Sequence, residues 1–193
     1  MPACEISIDA LAGLAEPGDL LLYRDTHSLQ DVLIGRAGRS PYGHAGMLAR
    51  HGGRWAVLEM TEWRGGRWRS LRDAVRDDEG HWDVFLANAG NRWQWERAQA
   101  VINMWRFVGR PYGWLHVLWV ALLHLPLLRS LVPAVTSDRD ADRHAPFCSE
   151  AVAIATRLAG LDPVPMLPAR LTEPGDLARS LFYEYAFTLA KPR

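Results

Sequence analysis

Residues 44–60 read His-Ala-Gly-Met-Leu-Ala-Arg-His-Gly-Gly-Arg-Trp-Ala-Val-Leu-Glu-Met. Two apolar-rich runs, His44 to Arg50 and Arg54 to Met60, flank His51-Gly52-Gly53. A Gly-Gly pair between such runs marks a tight β-hairpin. If the loop is Gly52-Gly53 alone, Gly46 lies opposite Glu59, and His44 shares a face with Glu59 one diagonal step away. If the turn holds three residues, the register moves by one and Glu59 leaves that face. Both registers are compatible with the sequence.

On either side of this hairpin the pattern is sheet first and helix later. Pro17-Gly18-Asp19 is a turn into Leu20-Leu21-Leu22-Tyr23, a short apolar strand. Residues 25–43 read as a loop with one helical turn around Val32-Leu33-Ile34. Strand signals recur at Arg67 to Leu71 and Trp82 to Ala87. Trp95, Ala98, Val101, Ile102, Trp105 and Val108 then recur at helical spacing until Gly109 and Pro111. The C-terminal part predicts a second turn at Pro174-Gly175-Asp176, a short helix over 177–181 and a strand over 183–189. The expected class is α+β: an antiparallel, partly closed sheet packed against helices.

The segment 115–135 is the most apolar in the chain and approaches a membrane span in length. Arg129, Pro126, Pro133 and two histidines oppose spanning. A buried or lid-like helical pair is expected there, with peripheral lipid contact as the alternative. Residues 136–145 read as a polar linker. Residues 1–16 are expected to be flexible, and 17–193 to form one domain carrying 115–135 as an insertion.

Twenty-two basic residues balance 22 acidic ones and are scattered along the chain, which gives no footprint for nucleic acid. Two cysteines make no disulfide framework, and the N-terminal segment lacks the basic and apolar regions of a signal peptide. A cytoplasmic location is expected, with membrane association if 115–135 meets lipid. No His/Cys cluster has metal-ligand spacing and no glycine loop is built for phosphate, so neither metal nor cofactor is expected.

Cys148 stands in Pro-Phe-Cys-Ser-Glu, directly ahead of a helical run with Ala151, Val152, Ile154, Ala155 and Leu158 on one face and Gly160 as its stop. Unpaired N–H groups and the dipole at a helix start favour a thiolate over a thiol. A lone cysteine is as often a buried inert residue, so a partner base decides. Among seven histidines, His44 begins a strand between small residues, Gly43, Ala45 and Gly46, that let a substrate approach. Glu59 is the carboxylate placed to orient it, with Glu62 and Asp83 as alternatives. Each residue has a bland structural reading; the combination points to a thiol site.

The motifs Pro17-Gly18-Asp19-Leu20, Gly43-His44-Ala45-Gly46, Leu58-Glu59, Gly109-Arg110-Pro111-Tyr112-Gly113 and Phe147-Cys148-Ser149-Glu150 together resemble the permuted papain-like amidases, YiiX-type relatives of the NlpC cell-wall peptidases. Their order, histidine first and cysteine last, is also that of lecithin:retinol acyltransferase-like enzymes. The resemblance implies a circularly permuted papain-like (NlpC-type) fold over 17–193. It implies Cys148 as nucleophile, His44 as general base and acid, and Glu59 as its orienter. Tyr112, which matches the Pro-Tyr motif, is implied in substrate binding, with Tyr23 and Ser149 placed beside it. The implied activity is a cysteine amidase or peptidase acting on a cell-wall-type peptide or small amide. A lipid-directed acyltransferase or thioesterase, and a non-catalytic lipid- or partner-binding module, are the competing readings.

Overall fold

Leu20, Leu21 and Leu22 are fully buried because their strand lies in the middle of a sheet covered on both faces, where an unbroken apolar run is needed. The computed structural model describes residues 4–24, 40–113 and 145–192. The expected turn at 32–34, the insertion 115–135 and nearly all of the linker 136–145 lie outside the described residues.

The sheet has seven strands: β1 (Glu5–Ile6), β2 (Leu20–Arg24), β3 (His44–His51), β4 (Arg54–Thr61), β5 (Gly65–Ser70), β6 (His81–Ala87) and β7 (Tyr183–Leu189). Their order is β1-β7-β6-β2-β3-β4-β5. All neighbours are antiparallel except β1 and β7, which run parallel. Among the described residues four α-helices accompany it: α1 (Leu71–Asp77), α2 (Arg97–Trp105), α3 (Cys148–Arg157) and α4 (Pro174–Arg179). The mixed α+β class is as expected.

Alternation along the strands divides the core in two. Leu22, Ala45, Met47, Leu58 and Met60 pack with α3 on one face. Leu21, Leu48, Val57 and Val84 pack with Leu71, Ala74 and Val75 of α1 on the other. Helix α3 is buried on all sides from Cys148 to Thr156, which its small residues Ala151, Ala153 and Ala155 permit, since they let a helix lie close to a sheet. Its polar groups are satisfied internally: Thr156 Oγ1 donates to the Val152 carbonyl and Ser149 Oγ to that of Thr172. Among the described residues no helix is long and apolar enough to cross a membrane.

Three expectations are corrected. The N-terminal segment is packed from residue 4 onward: Glu5 and Ile6 pair with Thr188 and Leu189, and Ile8 and Leu11 are buried. A two-residue strand is too short to show a period, but the open edge of β7 supplies its hydrogen-bond partners. The strand expected to reach Leu71 stops at Ser70, where α1 begins; Leu71, Ala74 and Val75 have the i, i+3, i+4 spacing that marks it. Pro174-Gly175-Asp176 opens α4 instead of forming a separate turn. Proline suits the first helical turn, and the Glu173 N–H donates to Asp176 Oδ2 at 3.0 Å.

Candidate thiol site

The hairpin closes through two residues: His51 pairs with Arg54 and Gly46 with Glu59. Gly52 and Gly53 both have positive φ, 56° and 77°, as a type I′ turn requires. Of the two registers open to the sequence, this is the one that carries Glu59 to His44. Glu59 Oε2 lies 2.9 Å from His44 Nε2.

Strand alternation puts both side chains on the α1 side of the sheet, with Leu48 and Val57, whereas α3 covers the opposite face. His44 nevertheless meets Cys148, because it is the first residue of β3 and Cys148 the first of α3. The two elements abut at the end of the sheet, where no further strand residue separates the faces. Cys148 is near enough to His44 for the thiol to raise the imidazole through charge and hydrogen-bonding capacity. With Nε2 engaged by Glu59, Nδ1 is the ring nitrogen left for the sulfur.

The electrostatics follow from this geometry. The Glu59 side chain is 1% exposed and that of His44 15%, so the site opens to solvent on the histidine side. Burial alone would push the Glu59 carboxyl up, but His44, Arg69 and Arg67 hold it down at about 2. Arg67 Nε donates to Glu59 Oε1 at 2.9 Å, and Arg69 Nε stands 2.9 Å from the same oxygen. Burial likewise opposes charge on His44. The charge and hydrogen bonds of Cys148 and Glu59 outweigh it and raise the imidazole well above its ordinary range.

Gly109-Arg110-Pro111-Tyr112-Gly113 straps the two halves of the site together. The Gly66 N–H donates to the Arg110 carbonyl at 2.8 Å, the Gly109 N–H to the Gly66 carbonyl at 2.8 Å, and the Gly113 N–H to the Pro146 carbonyl at 3.2 Å. Backbone thus runs from β5, next to Arg67, to the residues just before Cys148. No side chain fits at the contacts: a Cβ on Gly66 would sit 1.8 Å from the Phe107 oxygen, and one on Gly113 2.1 Å from that of Ala145. At the start of α3 the Phe147 N–H donates to Glu150 Oε2 at 3.3 Å, which fixes the turn that presents the thiol.

Cys148, His44 and Glu59 are therefore brought together. Tyr112 packs into the α3-side core, the cluster that also holds Cys148. Tyr23 stands opposite His44 across β2–β3; its hydroxyl accepts the Gly80 N–H at 2.8 Å and its ring packs on Trp82. Ser149 is fully buried with its hydroxyl committed to Thr172, a packing role in place of the expected substrate contact. Of the alternative orienters, Asp83 is held by Arg24, Tyr42 and Thr188 in a row with Leu22, and Glu62 lies in the turn after β4. Sequence reading passed over Arg67, Arg69, Asp78 and Trp82. A signal for the arginines existed: alternation in Gly65-Gly66-Arg67-Trp68-Arg69 puts both on one face, and a three-residue turn after Thr61 sets Arg67 opposite Glu59.

The chain is similar in structure to the metalloprotein yiiX of Escherichia coli O157:H7, with a TM-score of 0.59 and 18% identity, over 92% of this chain and 98% of that one. The likeness is one of fold. No family model matches the chain, and no curated protein matches it in sequence.

Proposed function

We propose that the protein is a cysteine-dependent amidase or peptidase, built on a permuted papain-like (NlpC-type) arrangement, whose substrate is a peptide or small amide of cell-wall type. The observation that carries this reading is the chain of contacts Cys148–His44–Glu59, with a thiol at a helix start, an imidazole beside it and a buried carboxylate fixing the imidazole.

The chemistry then runs in two halves. With the Cys148 proton on His44, sulfur attacks the carbonyl carbon, a C–S bond forms and the carbonyl π electrons move to oxygen. The Cys148 backbone N–H, at the first helical position and so without an intrahelical acceptor, is placed to receive that oxyanion. Collapse breaks the C–N bond as His44 gives its proton to the leaving amine, and a thioester remains. His44 next takes a proton from water, hydroxide adds to the thioester carbonyl, and the C–S bond breaks to release the acid and restore the sulfur anion. Glu59 stays ionised throughout.

The solved neighbour is described as a metalloprotein. The residues here do not fit a metal: among the described residues no three His, Cys, Asp or Glu side chains gather as ligands. The carboxylate nearest His44 is flanked by Arg67 and Arg69, whose charge opposes a cation. No step is routed through one.

The test is labelling of the intact chain with iodoacetamide at neutral pH, combined with hydrolysis assays on muropeptide-type peptides and simple amides. Rapid modification of Cys148, with hydrolysis that disappears on its alkylation, is expected. Reactivity no greater than that of free cysteine, with turnover unaffected by alkylation, would overturn the proposal.

A further inference from the structure

Behind Glu59 a closed circuit of side chains returns to His44. Arg69 spans two carboxylates: its Nε is 2.9 Å from Glu59 Oε1, its Nη1 donates to Asp78 Oδ1 at 2.9 Å, and its Nη2 pairs with Asp78 Oδ2. Asp78 also accepts Trp82 Nε1 at 2.9 Å. The Trp82 ring meets the His44 ring edge-on, 5.9 Å between centroids at 80°. The Asp78 backbone is itself pinned, its carbonyl accepting Lys191 Nζ at 2.7 Å.

We propose that Arg69, braced by Asp78, is a positioning residue for the thiol site: it clamps Glu59 so that His44 holds one ring orientation toward Cys148. Its catalytic meaning rests on the cysteine-hydrolase reading above. Glu59 is held at both oxygens: Oε1 accepts Arg67 Nε and lies 2.9 Å from Arg69 Nε in an ion pair without hydrogen-bond alignment, while Oε2 faces His44. Arg69 cannot swing away, since its other two nitrogens are bound to Asp78. The titratable and charged groups facing the pair are the Cys148 thiol from α3, Arg67 and Arg69 from β5, and Asp78 behind Arg69. When His44 surrenders its proton, both guanidiniums still oppose the Glu59 charge, so the carboxylate does not take the proton in its place. Arg67 has Glu59 as its carboxylate partner and adds charge; Arg69 with its second carboxylate is the brace. A planar fork that spans two carboxylates is what arginine supplies and lysine does not.

The experiment compares Arg69→Lys and Asp78→Asn with the parent. In a Cys148→Ser background, NMR titration of isotope-labelled histidine reads the His44 midpoint. In the otherwise intact chain, the pH profile of Cys148 alkylation by iodoacetamide reads the site. Arg69→Lys keeps the charge and removes the fork, so charge alone predicts no change. The brace predicts a lower His44 midpoint for Arg69→Lys and Asp78→Asn. It also predicts alkylation at about pH 6 slowed about 10-fold in both variants. Folded Arg69→Lys and Asp78→Asn proteins with the parent's midpoint and profile would overturn it; should Arg69→Lys not fold, Asp78→Asn decides. An unreactive Cys148 in the parent defeats the hydrolase reading instead, and the NMR titration still judges the brace.

Discussion

Gly46 and Glu59 face each other across the β3–β4 ladder, and the missing side chain at Gly46 keeps that crossing narrow. A Cβ there would stand 2.7 Å from Val57 Cγ2 and 3.1 Å from the Leu58 carbonyl oxygen. On the same face, one diagonal step away, the Glu59 carboxylate lies 2.9 Å from His44.

Stability should peak in mildly acidic solution. Glu59 falls from 4.5 to about 2 on folding, so its contribution is complete above 4.5 and drains away as pH drops toward 2; in full it is on the order of 3 kcal/mol. His44 moves the other way, upward from 6.5, so its contribution is complete below 6.5 and is lost as pH climbs through the raised folded value. Both are present between 4.5 and 6.5. Thermal melts across pH should show that plateau, and Glu59→Gln should flatten the acid side; a variant curve parallel to the parent's refutes the assignment.

Glu59→Gln should also destabilise the fold outright. It leaves Arg67 and Arg69 facing a neutral amide in a site where the carboxylate is 1% exposed. Breaking a buried ion pair from one side costs about 3–5 kcal/mol. Because Arg67 and Arg69 are 25% and 20% exposed and keep some water, the lower end is expected. Urea denaturation measures it, and a loss below about 1 kcal/mol would mean that solvent already screens the cluster.

Cys148→Ala is expected to abolish hydrolysis, by about 10,000-fold or more, with a modest fall in melting temperature below pH 6.5, where the thiol supports the charged His44. The thiol is a small group at the first position of α3, and its loss opens little space. Retained turnover in a protein free of parent contamination would place the chemistry elsewhere.

Gly113→Ala tests the strap. Its new Cβ would press on the Ala145 carbonyl, backbone against backbone, so the segment ahead of Cys148 must move. A cost of about 1–3 kcal/mol is expected, together with slower alkylation of Cys148. Gly52→Ala, by contrast, strains only the hairpin tip, where nothing lies within 4 Å of the added atom. The left-handed backbone there costs about 1–2 kcal/mol, with alkylation unchanged. Equal effects of the two substitutions on Cys148 reactivity would show that the strap does not position the thiol.

Local physics decided much of this chain in advance. Gly52-Gly53 between two apolar runs favours a hairpin, and a cysteine before an alanine-rich helical run falls at its start. The helical spacing from Trp95 gives a helix too, over Arg97–Trp105, but with Ala100, Asn103 and Met104 buried where the spacing points to Ala98 and Ile102. Those are near-neighbour effects, and sequence carries them. What it left open was distance. Two hairpin registers were allowed, and packing chose the one that buries Leu48 and Val57 on one face and Met47 and Leu58 on the other. Alternation by itself would have put His44 and Cys148 on opposite sides of the sheet; they meet because β3 and α3 begin at the same end of it. The charges around Glu59 come from strands whose pairing depends on the whole sheet order, and a two-residue β1 exists only because β7 offers an edge to bind it. Residues far apart in the chain acquire their chemistry from neighbours that only the assembled core supplies.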